Sequence, residues 1–266
     1  MNRILASLLF ASAITVTVPG CSLLPEQIDE TKNWSAQKLF GMAKEAVAEG
    51  NYEQGIKLFE KLEARYPYGA HASQAQLEVA YAYYKDNEPE SATATLDRFL
   101  QQHPAHPHVD YALYLKGMVN FIEDNGLLAR LGSQDMSERD PRAAHEAFLA
   151  FKVLVERFPD SRYSEDARGR MRHLVNALGA HELHVARYYF KRGAYVAAVN
   201  RTKYVIEHYQ TTSSAEEALA LMAQSYDHLG MKDLAQDALR VLKQSYPQSV
   251  WLSGGPKQDA PWWKLW

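Results

Sequence analysis

The sequence predicts an all-α solenoid of about five helix-turn-helix repeats, and three observations carry that reading. One register recurs five times: a small residue, bulky residues four and seven places on, and a stop five places later. A flat ring stands directly before every stop. Another apolar stretch of helical spacing and a short turn precede each register, with no strand signal between the units.

In repeat one the first helix is marked by Leu39, Met42, Ala43 and Ala46, the turn by Gly50-Asn51, and the second helix by Gly55, Phe59, Leu62 and Pro67. Repeat two has Val79, Ala80 and Tyr83, then Asn87, then Ala92, Leu96, Phe99 and Pro104. Repeat three has Leu113 and Gly117, the turn signal Asn125-Gly126, then Ala147, Phe151, Leu154 and Pro159. Repeat four turns at Gly193 and carries Ala198, Thr202, Val205 and, in place of proline, Gln210. Repeat five has Leu219, Met222, Ala223 and Tyr226, then Gly230, then Ala235, Leu239, Leu242 and Pro247. Spacings of four and three place the bulky residues on one helical face. The small residue lets a neighbouring helix approach, and proline cannot continue the helix. The rings before the stops are Tyr66, His103, Phe158, Tyr209 and Tyr246. Helix, turn, helix and stop at this length resemble the tetratricopeptide repeat, in which each unit buries its face against the next.

Two intervals between stops are longer than the others. The first addition falls between Asp124 and Asp140 and reads mostly as loop, with Leu127, Leu128 and Leu131 apolar. The second falls in the first helix of repeat four. It is close to a whole number of helical turns, so the packing face is kept. One long helix is expected from about Ser164 to Arg192, with Gly179 as a candidate bend.

The N-terminus reads as an export signal. Arg3 supplies the charge, Ile4 to Val18 carry none, and Val18-Pro19-Gly20-Cys21 closes the segment with a small residue before the single cysteine. That apolar run is shorter than a membrane-spanning helix needs, and no later segment is apolar enough either. Cys21 resembles the acceptor of a bacterial lipobox, which implies an S-diacylglycerol and an N-acyl chain there; the alternative is an ordinary cleaved signal with an incidental cysteine. Ser22, which is not Asp, implies transport to the outer membrane in lipoproteins of this kind. One cysteine allows no internal disulfide. Residues 1–20 hold one of the 29 Lys and Arg and none of the 32 Asp and Glu, leaving the remainder at −4. With no polybasic footprint, nucleic acid is not an expected partner.

Signals of catalysis are weak. There is no phosphate-binding glycine loop and no Gly-x-Ser-x-Gly elbow, and no catalytic residue, cofactor or metal is expected. His181 and His184 are three apart rather than the four of a zinc-protease helix. His103, His106 and His108 alternate with Pro104 and Pro107, a metal loop or a stiffened turn between repeats.

Binding signals are stronger. If the first helices line a concave groove, repeats one to three bring Phe40, Lys44, Val47, Leu77, Tyr81, Tyr84, Lys85, Tyr111, Tyr114, Met118 and Phe121 to it. Repeat five brings Glu217, Gln224, Asp227 and His228, so the groove is aromatic at one end and polar at the other. Aromatic walls with a few cations suit an extended peptide with aromatic side chains or a free carboxylate. The competing reading is that several of these rings pack between helices. Trp251, Trp262, Trp263 and Trp266 follow the last repeat, which suits a partner, a membrane interface or docking back onto that repeat.

The pieces together resemble the BamD family of outer-membrane β-barrel assembly lipoproteins, also described as ComL. The resemblance covers essentially the whole chain. It is most specific in the lipobox followed by repeat one, in Ser137 to Phe148 running on to Arg157 to Tyr163, and in Ala186 to Arg201. It implies an outer-membrane lipoprotein facing the periplasm that binds BamA, other lipoproteins of that machinery and unfolded barrel precursors. The divisions that follow are a lipoprotein signal peptide (1–20), a lipidated linker (21–33), a client-binding half with repeats one to three (34–160), a partner-binding half with repeats four and five (161–250) and a Trp-rich tail (251–266). Tyr81, Tyr84, Tyr111 and Tyr114 are expected to take the precursor's rings, with Lys44 or Lys85 for its carboxylate. Tyr195, Asn200 and Arg201 are expected to meet BamA. A periplasmic adaptor for cell-wall or competence (DNA uptake) machinery is the alternative. From Cys21 to Trp34 the linker reaches at most about 45 Å.

Overall fold

The computed structural model describes residues 29–69, 71–121 and 141–255. Among them are ten α-helices and no strand. The pairs are α1 (Ala36–Ala48) with α2 (Tyr52–Arg65), α3 (Ala72–Lys85) with α4 (Pro89–Gln102), α5 (Val109–Asn120) with α6 (Arg142–Arg157), α7 (Ser164–Lys191) with α8 (Tyr195–His208) and α9 (Ser214–His228) with α10 (Lys232–Ser245). A 3-10 turn, Val250–Ser253, follows. Each helix packs on its successor, and first helices of adjacent repeats also touch, α7 against α9 most extensively. This is the tetratricopeptide-type solenoid that the register predicts.

Two small devices repeat along the chain. In the first, α1, α3, α7 and α9 end in one hydrogen-bond pattern. Asn51, Glu88, Ala194 and Met231 donate their N–H groups five residues back, to Ala46, Tyr83, Tyr189 and Tyr226. This is the Schellman closure, which needs a left-handed residue just past the helix. Gly50, Asn87, Gly193 and Gly230 supply it, with φ of 82°, 60°, 74° and 75°. Asn125-Gly126, the corresponding signal of repeat three, lies outside the described residues.

In the second device, the rings before the stops form identical caps. Tyr66, His103, Phe158, Tyr209 and Tyr246 all have φ between −129° and −132°. Each donates its N–H at 2.8 Å to the carbonyl four residues back, and its own carbonyl accepts from the N–H three residues on. Tyr209 follows this geometry although Gln210 stands where the other four repeats have proline, so the ring's cap closes the helix without it.

The register residues are the core. Phe59, Phe99, Phe151, Leu62, Leu96, Leu154 and Leu242 are fully buried. Met42 and Leu239 are the exceptions, 38% and 44% exposed. They lie on the first and last α-helices described, each with a described α-helix packed on one side only. The small residues permit close approach: a Cβ on Gly117 would sit 2.3 Å from the Phe151 ring, and one on Gly55 would sit 2.5 Å from Val47. Gly117→Ala should therefore destabilise the fold by about 1–3 kcal/mol through overpacking, read as a lowered urea midpoint.

The long helix α7 has nearly its expected bounds. Ala167 and Leu174 join the cluster of repeats two and three, whereas Leu183 and Ala186 join that of repeats four and five. The core therefore runs on across residues 160 and 161. Gly179 is buried where α7 meets the α8–α9 connection, and a Cβ there would stand 3.0 Å from Thr212 Oγ1. Ahead of α1, Asp29 is fastened to α2. It accepts hydrogen bonds from Thr31 and Lys61 and pairs with Arg65, and the first two of these hold its carboxyl well below the usual range. Arg65 also donates to the Thr31 carbonyl.

Candidate functional site

Three first helices and one corner build the aromatic end. Lys44 of α1, Leu77, Glu78 and Tyr81 of α3, Tyr111 of α5, and Arg162 and Tyr163 just before α7 line a pocket of about 400 Å³ together with Gln74 and His108. Of the six residues expected at a client site, Lys44, Tyr81 and Tyr111 are in its lining. Tyr114 stands behind one wall: its ring stacks on Tyr163 at 4.8 Å, and its hydroxyl donates to Asp166 Oδ2 at 2.8 Å. Tyr84 is half-buried against the core cluster, and Lys85 is exposed at the last turn of α3, outside the lining. The two readings of the aromatic stripe thus divide between residues. Leu77 and Phe121 are buried core members, while Tyr81 and Tyr111 are half-buried with a face on the pocket.

The charges differ from the expectation. Lys44 Nζ is held at 2.8 Å by Glu78 Oε1, whose side chain is only 17% exposed. Its charge is engaged within the protein. Arg162 lies over the Tyr163 ring, 4.7 Å from the centroid, and donates to the Tyr163 hydroxyl. Burial, then the nearby Glu78, pushes the Tyr111 phenol far above the usual tyrosine range. Tyr111 therefore stays protonated and can donate. Sequence reasoning missed Glu78, Arg162 and Tyr163. Only first-helix positions were assigned to the groove, whereas Arg162 and Tyr163 come from the corner between repeats. The signal was present in their place, three and four residues after Pro159.

The histidines are built into the scaffold. His103 caps α4, and His106 packs edge-on against Phe99 at 5.2 Å, with Nε2 3.3 Å from Ser73 Oγ. Burial, and then its histidine neighbours, lowers the His106 pKa. Among the described residues no group of three or more His, Cys, Asp or Glu is placed to hold a metal ion, and no helix is long and apolar enough to cross a membrane.

At the other end, Tyr195 stacks flat on His228, centroids 4.3 Å apart at 1°, with Phe190 edge-on at 5.4 Å. Asn200 and Arg201 are exposed, and Arg201 Nη1 pairs with Glu182 Oε2 of α7 at 2.9 Å. Tyr195 thus turns toward the ends of α7 and α9, and Arg201 toward the middle of α7. A second cross-helix pair, Arg187 with Glu217, ties α7 to α9. Trp251 is half-buried and packs on Leu219, Ala220 and Leu242. Cys21 and the other tail tryptophans lie outside the described residues.

An aromatic pocket at one end of a repeat array and a charged face at the other define a helical-repeat scaffold of the tetratricopeptide class. The YfiO family of outer membrane lipoproteins matches residues 32–252. The chain is 49% identical over 237 residues to outer membrane protein assembly factor BamD of Neisseria meningitidis serogroup A / serotype 4A, with 89% of each chain covered. It is 34% identical over 262 residues to the protein of the same name from Xylella fastidiosa strain 9a5c, covering 98% of this chain and 89% of that one. The chain belongs to the YfiO outer membrane lipoprotein family.

Proposed function

We propose that this chain is a lipid-anchored periplasmic scaffold for outer-membrane protein assembly. It takes unfolded barrel precursors at the aromatic pocket and BamA at the face around Tyr195, Asn200 and Arg201. One observation carries the reading: 49% identity across 89% of the chain to a protein named as an outer membrane protein assembly factor. That name favours assembly over a cell-wall or competence adaptor. The protein works by holding partners in place rather than by catalysis. Tyr81 and Tyr111 offer aromatic surface to an extended chain, a use of stacking and apolar burial that tolerates many sequences.

Cys21 carries the lipid in this proposal, and two or more acyl chains give a stable anchor where one is marginal. Because Asp29 is fastened to α2, the linker counted from Cys21 ends at Asp29 rather than at Trp34. Its reach is then at most about 28 Å rather than about 45 Å. Repeat one is held close under the outer membrane.

A photocrosslinker placed at Tyr81 in cells should capture barrel precursors during their assembly. Capture elsewhere on the protein with none at Tyr81 would remove the pocket from the client path.

A further inference from the structure

Repeat five presents an open groove that the earlier repeats fill with a helix. In repeat one, Ala43 and Val47 of α1 face Ile56 and Phe59 of α2, and all four are buried in one cluster with Ala75, Val79 and Ala82 of α3. The corresponding residues of repeat five are Ala223, Asp227, Gln236 and Leu239, and they line a pocket of about 310 Å³ between α9 and α10. Phe59, Leu96, Phe151 and Thr202 are fully buried at the register position where Leu239 is 44% exposed. Polar pairs between repeats follow the same rule. Lys44 and Arg187, at one position relative to the turns Gly50 and Gly193, pair with Glu78 and Glu217 of the next first helix. Gln224 holds that position before Gly230, and its amide makes no hydrogen bond among the described residues.

The chain is delivered to the start of this groove. Past Pro247 it follows the course taken past Pro67: the Ser249 N–H donates to the Tyr246 carbonyl as the Gly69 N–H donates to that of Tyr66. Trp251 then packs on Ala220, as His71 stacks at 5.0 Å on Phe40, the matching residue of α1. His71 leads straight into α3. After Trp251 the chain instead makes a left-handed turn at Gly254 and Gly255, with φ of 98° and 87°, and a Cβ on Gly255 would lie 2.9 Å from the Trp251 ring. The sequence continues with Pro256 and Pro261, which bar a continuous helix, and with Trp262, Trp263 and Trp266.

We propose that the tail's tryptophans fold back into the groove between α9 and α10 and cap the solenoid in place of a further first helix. The span from Gly255 to Trp262 reaches at most about 25 Å, and a first helix as long as α3 covers about 21 Å, so the tail is long enough to follow the groove. Indole suits this lining. Its ring covers Ala223, Ala235 and Leu239, and its N–H needs an acceptor, which the amides of Gln224 and Gln236 offer. A terminal repeat needs such a cover, because stacking leaves its outer face to water. The cap is a local contact that opens below the urea midpoint, so it is read in the exchange of α10 amides and not in that midpoint.

The test uses the mature chain without partners, diluted until monomeric, with a photocrosslinker at Gln236 and, in a second preparation, at Gln224. Irradiation should join either position to the tryptic segment 258–264 of the same chain. Replacing Trp262, Trp263 and Trp266 together by alanine should abolish that product. It should also speed hydrogen exchange of the α10 amides by about tenfold or more, as expected when one or two large side chains lose their burial. Circular dichroism and the urea midpoint should stay at their wild-type values. No product from either position overturns the proposal, as does unchanged α10 exchange in the alanine variant. A product joining two chains overturns it in favour of a second copy. A product that forms only after BamA is added, or tail fluorescence that shifts only with vesicles of phosphatidylethanolamine and phosphatidylglycerol, assigns the tryptophans to a partner or to lipid and overturns it likewise.

Discussion

Phe151→Ala should lower the unfolding free energy by about 3–5 kcal/mol, the loss typical of a truncated core phenylalanine. Phe151 has no exposed surface. Its ring sits 6.0 Å from Tyr114 and 6.2 Å from Phe121, and Gly117 leaves room for its edge. Whole-domain stability is about 5–15 kcal/mol, so one such cavity takes a large share of it. Tyr114 supports Tyr163, and Tyr163 is a pocket wall. The substitution should therefore also weaken peptide binding. Leu239→Ala, at the matching register position of repeat five, should cost under about 1 kcal/mol because that side chain is 44% exposed. Urea denaturation of the two variants measures the contrast, and equal midpoints would contradict it.

Arg201→Glu should abolish recovery of BamA with the protein, a loss of about tenfold or more in affinity, while helix content is unchanged. Arg201 is exposed and projects from α8, and among the described residues its ion pair is with Glu182, whose side chain is 14% exposed. Reversing the charge removes a cation from the face proposed for BamA and sets two carboxylates together. Adding Glu182→Arg separates the two effects. If the double variant recovers BamA, the internal ion pair was responsible; if it does not, Arg201 itself meets the partner. Undiminished recovery with Arg201→Glu alone would take Arg201 out of the interface.

The repeats were legible in the sequence because each is specified locally. The rings before the stops and the turn glycines act within one helix end, the small residue acts between the two helices of a repeat, and the same spacing returns five times. Asn87 was legible for the same reason, since asparagine tolerates the left-handed conformation that glycine supplies elsewhere. Leu239 misled because the pattern says which face is apolar, and not whether a neighbour exists to cover it. The candidate site was legible only in part. Tyr81 and Tyr111 follow from helical periodicity. Arg162 and Tyr163 enter the pocket through the course of the chain at a corner, and Lys44 is engaged by a glutamate 34 residues away. Neither fact has a period to read.

The nearest-neighbour packing of the helices also bears on how the chain acquires its fold. Nearly every helix finds its principal partner in the next helix along the sequence. Low contact order of this kind lets a chain close short loops first and fold in microseconds to milliseconds. The long helix α7 is where two such processes meet, since one of its halves completes the cluster before it and the other starts the cluster after it. A chain that emerges from N- to C-terminus would thus consolidate repeats two and three only once α7 had appeared.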